Sequence, residues 1–233
     1  EETWHNPHQL FPGEDNAQNT KGWDLIIDID CAFLEYSKIA AHLLIQALYY
    51  HGVNSLSAKF SGNHGFHIAV PFEAFPKTWN GQPTEHLFPS AARKIAQYLK
   101  DTIESKLSQM ILEYEKQQCG QYNDQKVIEH IQQKTQVPQE KLGETTIQSG
   151  VEEFRFSAFN ILEIDTILIS SRHLVRHVYS INEKSGLVSI PIDPQKVLDF
   201  DKSQATIQNT QESTFIFLDR SNIQDNQAAQ LFE

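Results

Sequence analysis

The stretch Asp24-Leu25-Ile26-Ile27-Asp28-Ile29-Asp30 decides the interpretation of this chain. Side chains of a strand alternate between its two faces, so Leu25, Ile27 and Ile29 predict a buried face. Asp28 and Asp30 then project together from the opposite face, about 7 Å apart. Two carboxylates at that spacing on a rigid strand can share a divalent cation, which prefers oxygen ligands. Taken alone, acids at a strand end are more commonly solvated turn formers or caps.

The elements that follow this strand predict an α/β (α+β) fold. Helical spacing runs over 33–48 and stops at Gly52, and two short strands follow at 57–60 and 66–70. The remaining predicted elements are a long helix over 90–118, a helix over 124–134, a strand over 154–170, a short helix over 170–176 and a strand over 187–192.

The domain organisation is predicted from the same pattern. Residues 1–22 are polar and turn-rich and form an N-terminal arm, and residues 23–218 form the core. A helical insertion is predicted at about 90–150 within that core, mobile in its Gln-rich part. Residues 219–233 are predicted to be a polar, disordered tail.

A glycine-rich turn between the two short strands is the second candidate site segment, Ser61-Gly62-Asn63-His64-Gly65-Phe66-His67. Two glycines three residues apart allow the backbone to turn sharply and to approach a ligand closely. Ser61, Asn63, His64 and His67 carry donors suited to phosphate oxygens. The alternative interpretation is a β-hairpin with a polar tip, which this segment by itself favours.

The third candidate segment begins at Asp165. This residue lies in a predicted strand on the face opposite its apolar neighbours, and it can bring a third carboxylate to the first two. Residues 166–192 then contain a single acid against three cations, Arg172, Arg176 and Lys184. On a short helix, Arg172 and Arg176 would share a face and grip a phosphate. A surface helix with exposed cations is the alternative.

The composition limits the class of protein. Apolar residues make up 39% of the 233 residues, and no run approaches the roughly 18 apolar residues of a membrane span. Cys31 and Cys119 form neither a C-x-x-C pair nor a disulfide framework, so we expect packing thiols, no structural zinc and a reducing cytoplasm. The net charge of −11 opposes nucleic-acid binding unless cations are concentrated locally, as they are after Asp165.

The three segments complement one another chemically. Three carboxylates can hold two metal ions, which activate an attacking hydroxyl group and neutralise a leaving pyrophosphate. The glycine turn and the basic stretch would hold a charged nucleotide in line with these acids. Together the segments predict a metal-dependent nucleotidyl transfer site.

In this order, DLIIDID, SGNHGFH and LEIDTILISSRHLVRHVYSINEKSGLVSIPIDPQKV resemble the catalytic small subunit of archaeal and eukaryotic DNA primases. The resemblance covers about residues 23–76 and 160–201, and its third block is the most specific. It implies a primase core with a mixed sheet flanked by helices, related to the RNA-recognition fold. The polymerase domains of bacterial end-joining ligases share that core.

The resemblance implies a role for each site residue. Asp28, Asp30 and Asp165 would be the catalytic acids that bind two divalent ions, Mg²⁺ or Mn²⁺. The nucleotide-binding residues would be Ser61, Gly62, Asn63, His64, His67, Arg172, Arg176, Asn182 and Lys184.

Several positions depart from the family pattern. The family often has Arg within its glycine turn, where this chain has Asn63 and His64, and it usually has His in place of Asn182 and Pro in place of Val178. These departures remove positive charge from the nucleotide pocket, although Asn182 still carries a hydrogen-bond donor. A His at position 182 is therefore predicted to tighten nucleotide binding.

The expected activity is primer synthesis on single-stranded DNA from ribo- or deoxynucleoside triphosphates, as in a DNA primase or primase-polymerase. A primase large subunit or an accessory domain is a further partner that the resemblance implies. Two alternatives stay open: a repair or end-joining polymerase of the same superfamily, and a catalytically degenerate module that binds nucleotide or DNA. We expect a cytoplasmic, nucleoid-associated protein without a membrane partner.

Overall fold

Helices and strands alternate along the part of the chain that the computed structural model describes, residues 2–5, 8, 19–120, 123–148, 151–166, 169–170, 174–221 and 223–233. The strands are β1 (Glu2–Trp4), β2 (Thr20–Trp23), β3 (Leu25–Asp30), β4 (Ser57–Phe60), β5 (Phe66–Val70), β6 (Thr78–Trp79), β7 (Gln82–Pro83), β8 (Gly143–Gln148), β9 (Val151–Phe156), β10 (Glu163–Asp165) and β11 (Pro191–Ile192). The α-helices are α1 (Leu34–Tyr50), α2 (Ser90–Cys119) and α3 (Asp124–Thr135). This content confirms the predicted α/β (α+β) class.

A five-stranded sheet in the order β10-β3-β5-β4-β11 lies at the centre of the fold. Each strand is antiparallel to its neighbours. The predicted mixed sheet is therefore wrong for the described strands. The physical reason is the placement of β5. β3 and β4 run in the same direction but do not pair, because β5 turns back from β4 through a short hairpin and lies between them.

The path of the chain through this sheet is a split β-α-β arrangement. β3 and β4 are joined through α1 but do not pair, because β5 lies between them. The segment that contains α2, α3 and the β8–β9 hairpin then leads to β10, which pairs with the outer side of β3. Two segments that are distant in the sequence, β3 and β10, thus become neighbours.

One face of the sheet is apolar and is covered by helices. Ile27, Ile29, Phe66 and Ile68 are buried there, α1 lies against β3 and β5, and α2 packs along α1. Each such burial contributes about 1.5–3 kcal/mol, so a register slip of one residue, which would turn these side chains to solvent, is strongly disfavoured. The polar residues of the same strands must therefore face the other side.

The predicted insertion at 90–150 extends this helical layer through α2 and α3. The helices predicted over 90–118 and 124–134 are confirmed as α2 and α3. Leu99 and Ile103 of α2 and Val127 and Ile131 of α3 are buried in the same core as α1. None of the helices in the described ranges combines the length and the apolar character that a membrane span requires.

A buried carboxylate joins the three helices. Glu115 of α2 is fully buried and accepts hydrogen bonds from Tyr36 Oη of α1 (2.8 Å) and Lys134 Nζ of α3 (2.5 Å). The Lys134 ammonium group also lies 4.7 Å from the centroid of the Tyr36 ring. Burial and the neighbouring Glu115 raise the pKa of Tyr36, so its hydroxyl group stays protonated and donates. A buried charge is costly unless it is paired, and here both donors come from other helices.

Two predicted strands are shorter in the structure. The strand predicted over 154–170 is interrupted by a 3₁₀ turn at Ala158–Asn160, because the Ala158 amide donates to Ser108 Oγ of α2 (3.0 Å). The strand predicted over 187–192 is reduced to an isolated bridge at Val188 and the two residues of β11. Both predictions followed local alternation, whereas tertiary hydrogen bonds decide where the ladder ends.

The C-terminal segment packs on the core, so the prediction of a disordered tail is wrong for residues 219–221 and 223–233. Arg220 lies 2.7 Å from the buried carboxylate of Asp24. Leu231 is buried, and the ring of Phe232 lies 5.3 Å from that of Trp79. A few apolar side chains and the ion pairs of Arg220 with Asp24 and Glu73 outweigh the polar composition of this segment.

Replacing Tyr36 with Phe is expected to lower the free energy of unfolding by about 1–3 kcal/mol, because the buried Glu115 carboxylate loses a donor. Urea unfolding followed by circular dichroism measures this change. Tyr114→Phe is the matched control, since among the described residues the Tyr114 hydroxyl group makes no hydrogen bond, and it should cost less than about 0.5 kcal/mol. Equal losses in the two variants would contradict the role of the Tyr36–Glu115 bond.

Candidate functional site

Four polar side chains form a row across the face of the sheet that the helices leave open. Asp165 of β10 lies opposite Asp28 of β3, Asp28 lies opposite His67 of β5, and His67 lies opposite Lys59 of β4. Directly opposed residues in antiparallel strands have Cα atoms about 4.5–5.5 Å apart and side chains on the same face. These four residues, here named the polar row, run from carboxylates at one end to an ammonium group at the other.

A second pair of acids lies one step along the same two strands. Asp30 is opposite Glu163, and both residues are exposed. Alternation places them on the same face as Asp28 and Asp165. Two adjacent strands therefore contribute four carboxylates to one surface, and the three aspartates selected from the sequence lie together.

Burial increases along the polar row. The side chain of Asp28 is 41% exposed and that of His67 is 8% exposed, whereas Lys59 is 1% exposed. His67 Nε2 lies 3.2 Å from Asp28 Oδ1, so the imidazole restrains that carboxylate. The acidic end of the row faces solvent, where water screens the repulsion between the carboxylates.

A cavity of about 260 Å³ lies at the acidic end of the row. Carboxylates share it with hydroxyl, amide and guanidinium donors. Most small-molecule sites measure about 300–1,000 Å³, so this cavity suits the polar part of a ligand better than a whole nucleotide. Its lining residues are Ile26, Asp28, Ile29, Asp30, Ser61, Asn63, His67, Asp165, Ile169, Leu174, Val175, Arg176 and Asn182.

The glycine turn connects β4 and β5 tightly, as the sequence predicts. The Ser61 amide donates to the Gly65 carbonyl oxygen (3.0 Å), and Ser61 Oγ accepts from the Gly65 amide (3.3 Å). Gly62 has a φ of +92°, and a Cβ on Gly65 would lie 1.9 Å from the carbonyl oxygen of Ile29. Both positions therefore require glycine. This close approach to β3 brings Ser61 and Asn63 to the cavity.

Arg176 reaches the cavity from an extended loop, and the helix predicted over 170–176 is wrong at its described end. Residues 174–177 are not helical, because the Arg176 carbonyl group accepts a hydrogen bond from Lys59 Nζ instead of from a later amide. Arg172, the second cation of the predicted pair, lies outside the described residues.

The guanidinium group of Arg176 is held by its own loop. It donates to the carbonyl oxygen of Ile181 (3.1 Å) and lies 3.5 Å from Glu183 Oε2. A backbone hydrogen bond and the charge of Arg176 lower the pKa of Glu183, which is therefore ionised at neutral pH. Glu183 offsets part of the positive charge that Arg176 brings to the cavity.

Asn182 closes a turn beside the cavity. Its Oδ1 accepts from the amides of Lys184 (3.0 Å) and Ser185 (3.4 Å), and its carbonyl oxygen accepts from the Gly186 amide (2.8 Å). A Cβ on Gly62 would lie 3.2 Å from Asn182 Cβ, so the two turns are in contact. A His at position 182 would therefore do more than add a phosphate donor, since it would also remove the acceptor of two amides.

Gly62, His64 and Lys184 are the predicted nucleotide-binding residues within the described ranges that do not line the cavity. Burial and the positive charge of Lys202 lower the pKa of His64, so its imidazole is neutral at pH 7. The Lys184 side chain is exposed. Among the lysines and arginines that the structure describes, Arg176 alone lines the cavity.

Lys59 and Glu163 lie on the same face of the sheet but were not predicted to belong to the site. The hairpin register would have identified Lys59, because Phe60 opposite Phe66 places Lys59 opposite His67. Alternation along β10 likewise places Glu163 beside Asp165. Both residues could have been identified from the sequence if the strand pairing had been known.

The donor set at the acidic end fits hard divalent cations. Asp28, Asp30 and Asp165 offer carboxylate oxygens from two rigid, adjacent strands. Within the described ranges, no three His, Cys, Asp or Glu side chains converge closely enough to form a preassembled metal-binding group. Binding a cation would thus require these side chains to rotate, on a backbone whose register already places them on one face.

Comparison with known proteins adds no assignment: no family model matches the chain, and no match is found among characterised proteins. The geometry of the sheet face and the chemistry of its side chains are therefore the features that indicate a function.

Replacing Asn182 with Ala is expected to lower the free energy of unfolding by about 1 kcal/mol, because two amides lose their acceptor. Asn182→Asp is the matched control, since it keeps an acceptor oxygen at the same position and should change stability by less than about 0.5 kcal/mol. Urea unfolding of the three proteins measures both effects. A greater loss in the Asp variant than in the Ala variant would rule out the turn-capping role.

Proposed function

We propose that the chain is the catalytic core of a DNA primase or primase-polymerase, which makes primers on single-stranded DNA from nucleoside triphosphates. One observation carries the proposal: adjacent antiparallel strands hold Asp28, Asp30 and Asp165 on one face. The cavity at this face also contains side chains that can donate hydrogen bonds to phosphate oxygens. Two-metal nucleotidyl transfer requires acids on a rigid support of this kind.

The topology of the sheet supports the same proposal. A split β-α-β sheet with helices on one face supports the relation to the RNA-recognition fold that the resemblance implies, although its described strands are antiparallel and not mixed. RNA-recognition sheets contact nucleic acid through their open face, and the polar row lies on the open face here. Because one topology serves many functions, the acids carry more weight than the topology.

The site residues divide into two groups in this proposal. Asp28, Asp30 and Asp165 would hold two Mg²⁺ or Mn²⁺ ions, whose chemistry is to activate an attacking hydroxyl group and to neutralise the leaving pyrophosphate. His67 orients Asp28 through their 3.2 Å contact. Ser61 and Arg176, which line the same cavity, would donate to phosphate oxygens.

The small number of positive charges at the cavity favours a second candidate, a module that binds nucleotide or DNA without synthesis. Arg176 is paired with Glu183, and His64 is neutral at pH 7. Three carboxylates on one face have little use in such a module, which is why synthesis is the first candidate. A repair polymerase of the same superfamily would use the same residues and differ in requiring a primer.

Asp30→Asn is expected to reduce primer synthesis by more than about 100-fold while leaving the fold intact, because it removes a metal ligand from an exposed position. The assay uses single-stranded template, each nucleotide pool, and Mg²⁺ or Mn²⁺. Asp101→Asn, the same chemical change on the exposed side of α2, is the control and should retain the wild-type rate.

Each outcome of this assay separates the candidates. Unchanged synthesis in Asp30→Asn would refute the assignment of the acids. Wild-type protein that binds nucleotide but makes no product would favour the binding module. Product formed only from a pre-existing primer would favour the repair polymerase.

A further inference from the structure

Lys59 is a buried lysine to which the proposed chemistry gives no role. It is 1% exposed, and its Nζ donates to the carbonyl oxygen of Arg176 and to Ser189 Oγ (3.2 Å). The ammonium group also lies 5.2 Å from the centroid of the Phe217 ring. An ammonium group is costly to bury unless its hydrogen bonds are satisfied, so these contacts are a specific requirement of the fold.

Both acceptors belong to segment 174–190, which contributes Leu174, Val175, Arg176 and Asn182 to the cavity. Within that segment the Tyr179 amide donates to the Ser189 carbonyl oxygen (2.6 Å), and the Ser189 amide donates to the Ser180 carbonyl oxygen (2.9 Å). Ser189 Oγ in turn donates to the carbonyl oxygen of Phe60 on β4 (2.8 Å). Lys59 therefore stands where both ends of this segment meet the sheet.

The position of Arg176 depends on this attachment. Its backbone is held by Lys59, whereas its guanidinium group is held by Ile181 and Glu183 of the same loop. Contacts within a loop move with the loop. Ser185 and Ser189 donate to the carbonyl oxygens of Gly62 and Phe60 farther along the segment, whereas Lys59 bonds directly to the Arg176 backbone and so relates the Arg176 cation to the sheet. Lys59 itself does not line the cavity among the described residues.

We propose that Lys59 is a positioning residue that tethers the loop carrying Arg176 to the sheet and thereby sets the affinity of the cavity for a polyphosphate anion. The choice of ligand rests on the proposed function. The tether is a property of the fold and is tested independently of it.

Lys59→Met, which keeps the aliphatic length and removes the donors, tests the tether. Hydrogen–deuterium exchange of segment 174–190 should become at least about tenfold faster, while exchange in β5 stays unchanged. Lys38→Met is the matched control, because Lys38 is also buried and donates to a backbone carbonyl group, that of Phe200 (3.1 Å), on the helical side of the sheet. It should leave segment 174–190 protected.

Calorimetric titration tests the consequence for binding. Lys59→Met should bind ATP in the presence of Mn²⁺ about tenfold more weakly, about 1.4 kcal/mol, and bind Mn²⁺ alone within about twofold of the wild type. Lys38→Met should match the wild type in both. Lys59→Arg, which keeps a buried cationic donor, should recover part of the ATP affinity.

Unchanged exchange in Lys59→Met would overturn the tether, and faster exchange with unchanged ATP affinity would overturn the positioning role. Wild-type protein that binds neither Mn²⁺ nor ATP would refute the proposed function, and the exchange comparison would then decide the tether alone. If Lys59→Met does not fold, Ser189→Ala removes one of the two acceptors and is measured in the same way.

Discussion

The antiparallel register of β3 with β5 and β10 is the constraint on which the candidate site depends. Ile27 and Ile29 are fully buried under α1, and their burial holds Asp28 and Asp30 on the opposite face. A shift of one residue would bury two carboxylates and expose several apolar side chains at once. The free energy that stabilises the core and the geometry that assembles the acids are therefore set by the same hydrogen-bonded ladder, and Asp165 joins the acids because its strand extends that ladder.

Charge is distributed over this face in a way that the fold can tolerate. The carboxylates lie at the solvated end of the polar row, where repulsion is weakened by water. At the other end Lys59 is buried, and its positive charge is stabilised by the carbonyl group of Arg176 and the hydroxyl group of Ser189. The row thus has an acidic, exposed half and a cationic, buried half. Interchanging the two would bury carboxylates that repel one another.

Local patterns predicted the parts of the structure that local physics determines. Alternation predicted which residues of β3 and β10 share a face, and the two glycines predicted the turn at 61–65. Alternation could not predict that β10 pairs with β3, that the sheet is antiparallel throughout its described strands, or that residues 219–221 and 223–233 pack on the core. Those features depend on contacts between distant residues, such as the bond from Lys59 to Arg176, which are 117 positions apart and whose contact replaces the expected helix at 174–176. The role of Lys59 was missed for the same reason.

The weak positive charge of the cavity has a thermodynamic consequence under the proposed function. Arg176 is partly offset by Glu183, and a neutral His64 adds no charge at pH 7. A triphosphate would therefore meet a surface dominated by carboxylates, which repels it unless divalent cations lie between them. Cation and nucleotide must then bind with positive coupling, since each stabilises the charge distribution that the other requires, and linkage makes that coupling reciprocal. A primase with arginines in its glycine turn would depend less on this coupling. Under the proposed function, Asn63 and His64 would thus shift the binding of the nucleotide from protein cations to metal ions held by Asp28, Asp30 and Asp165.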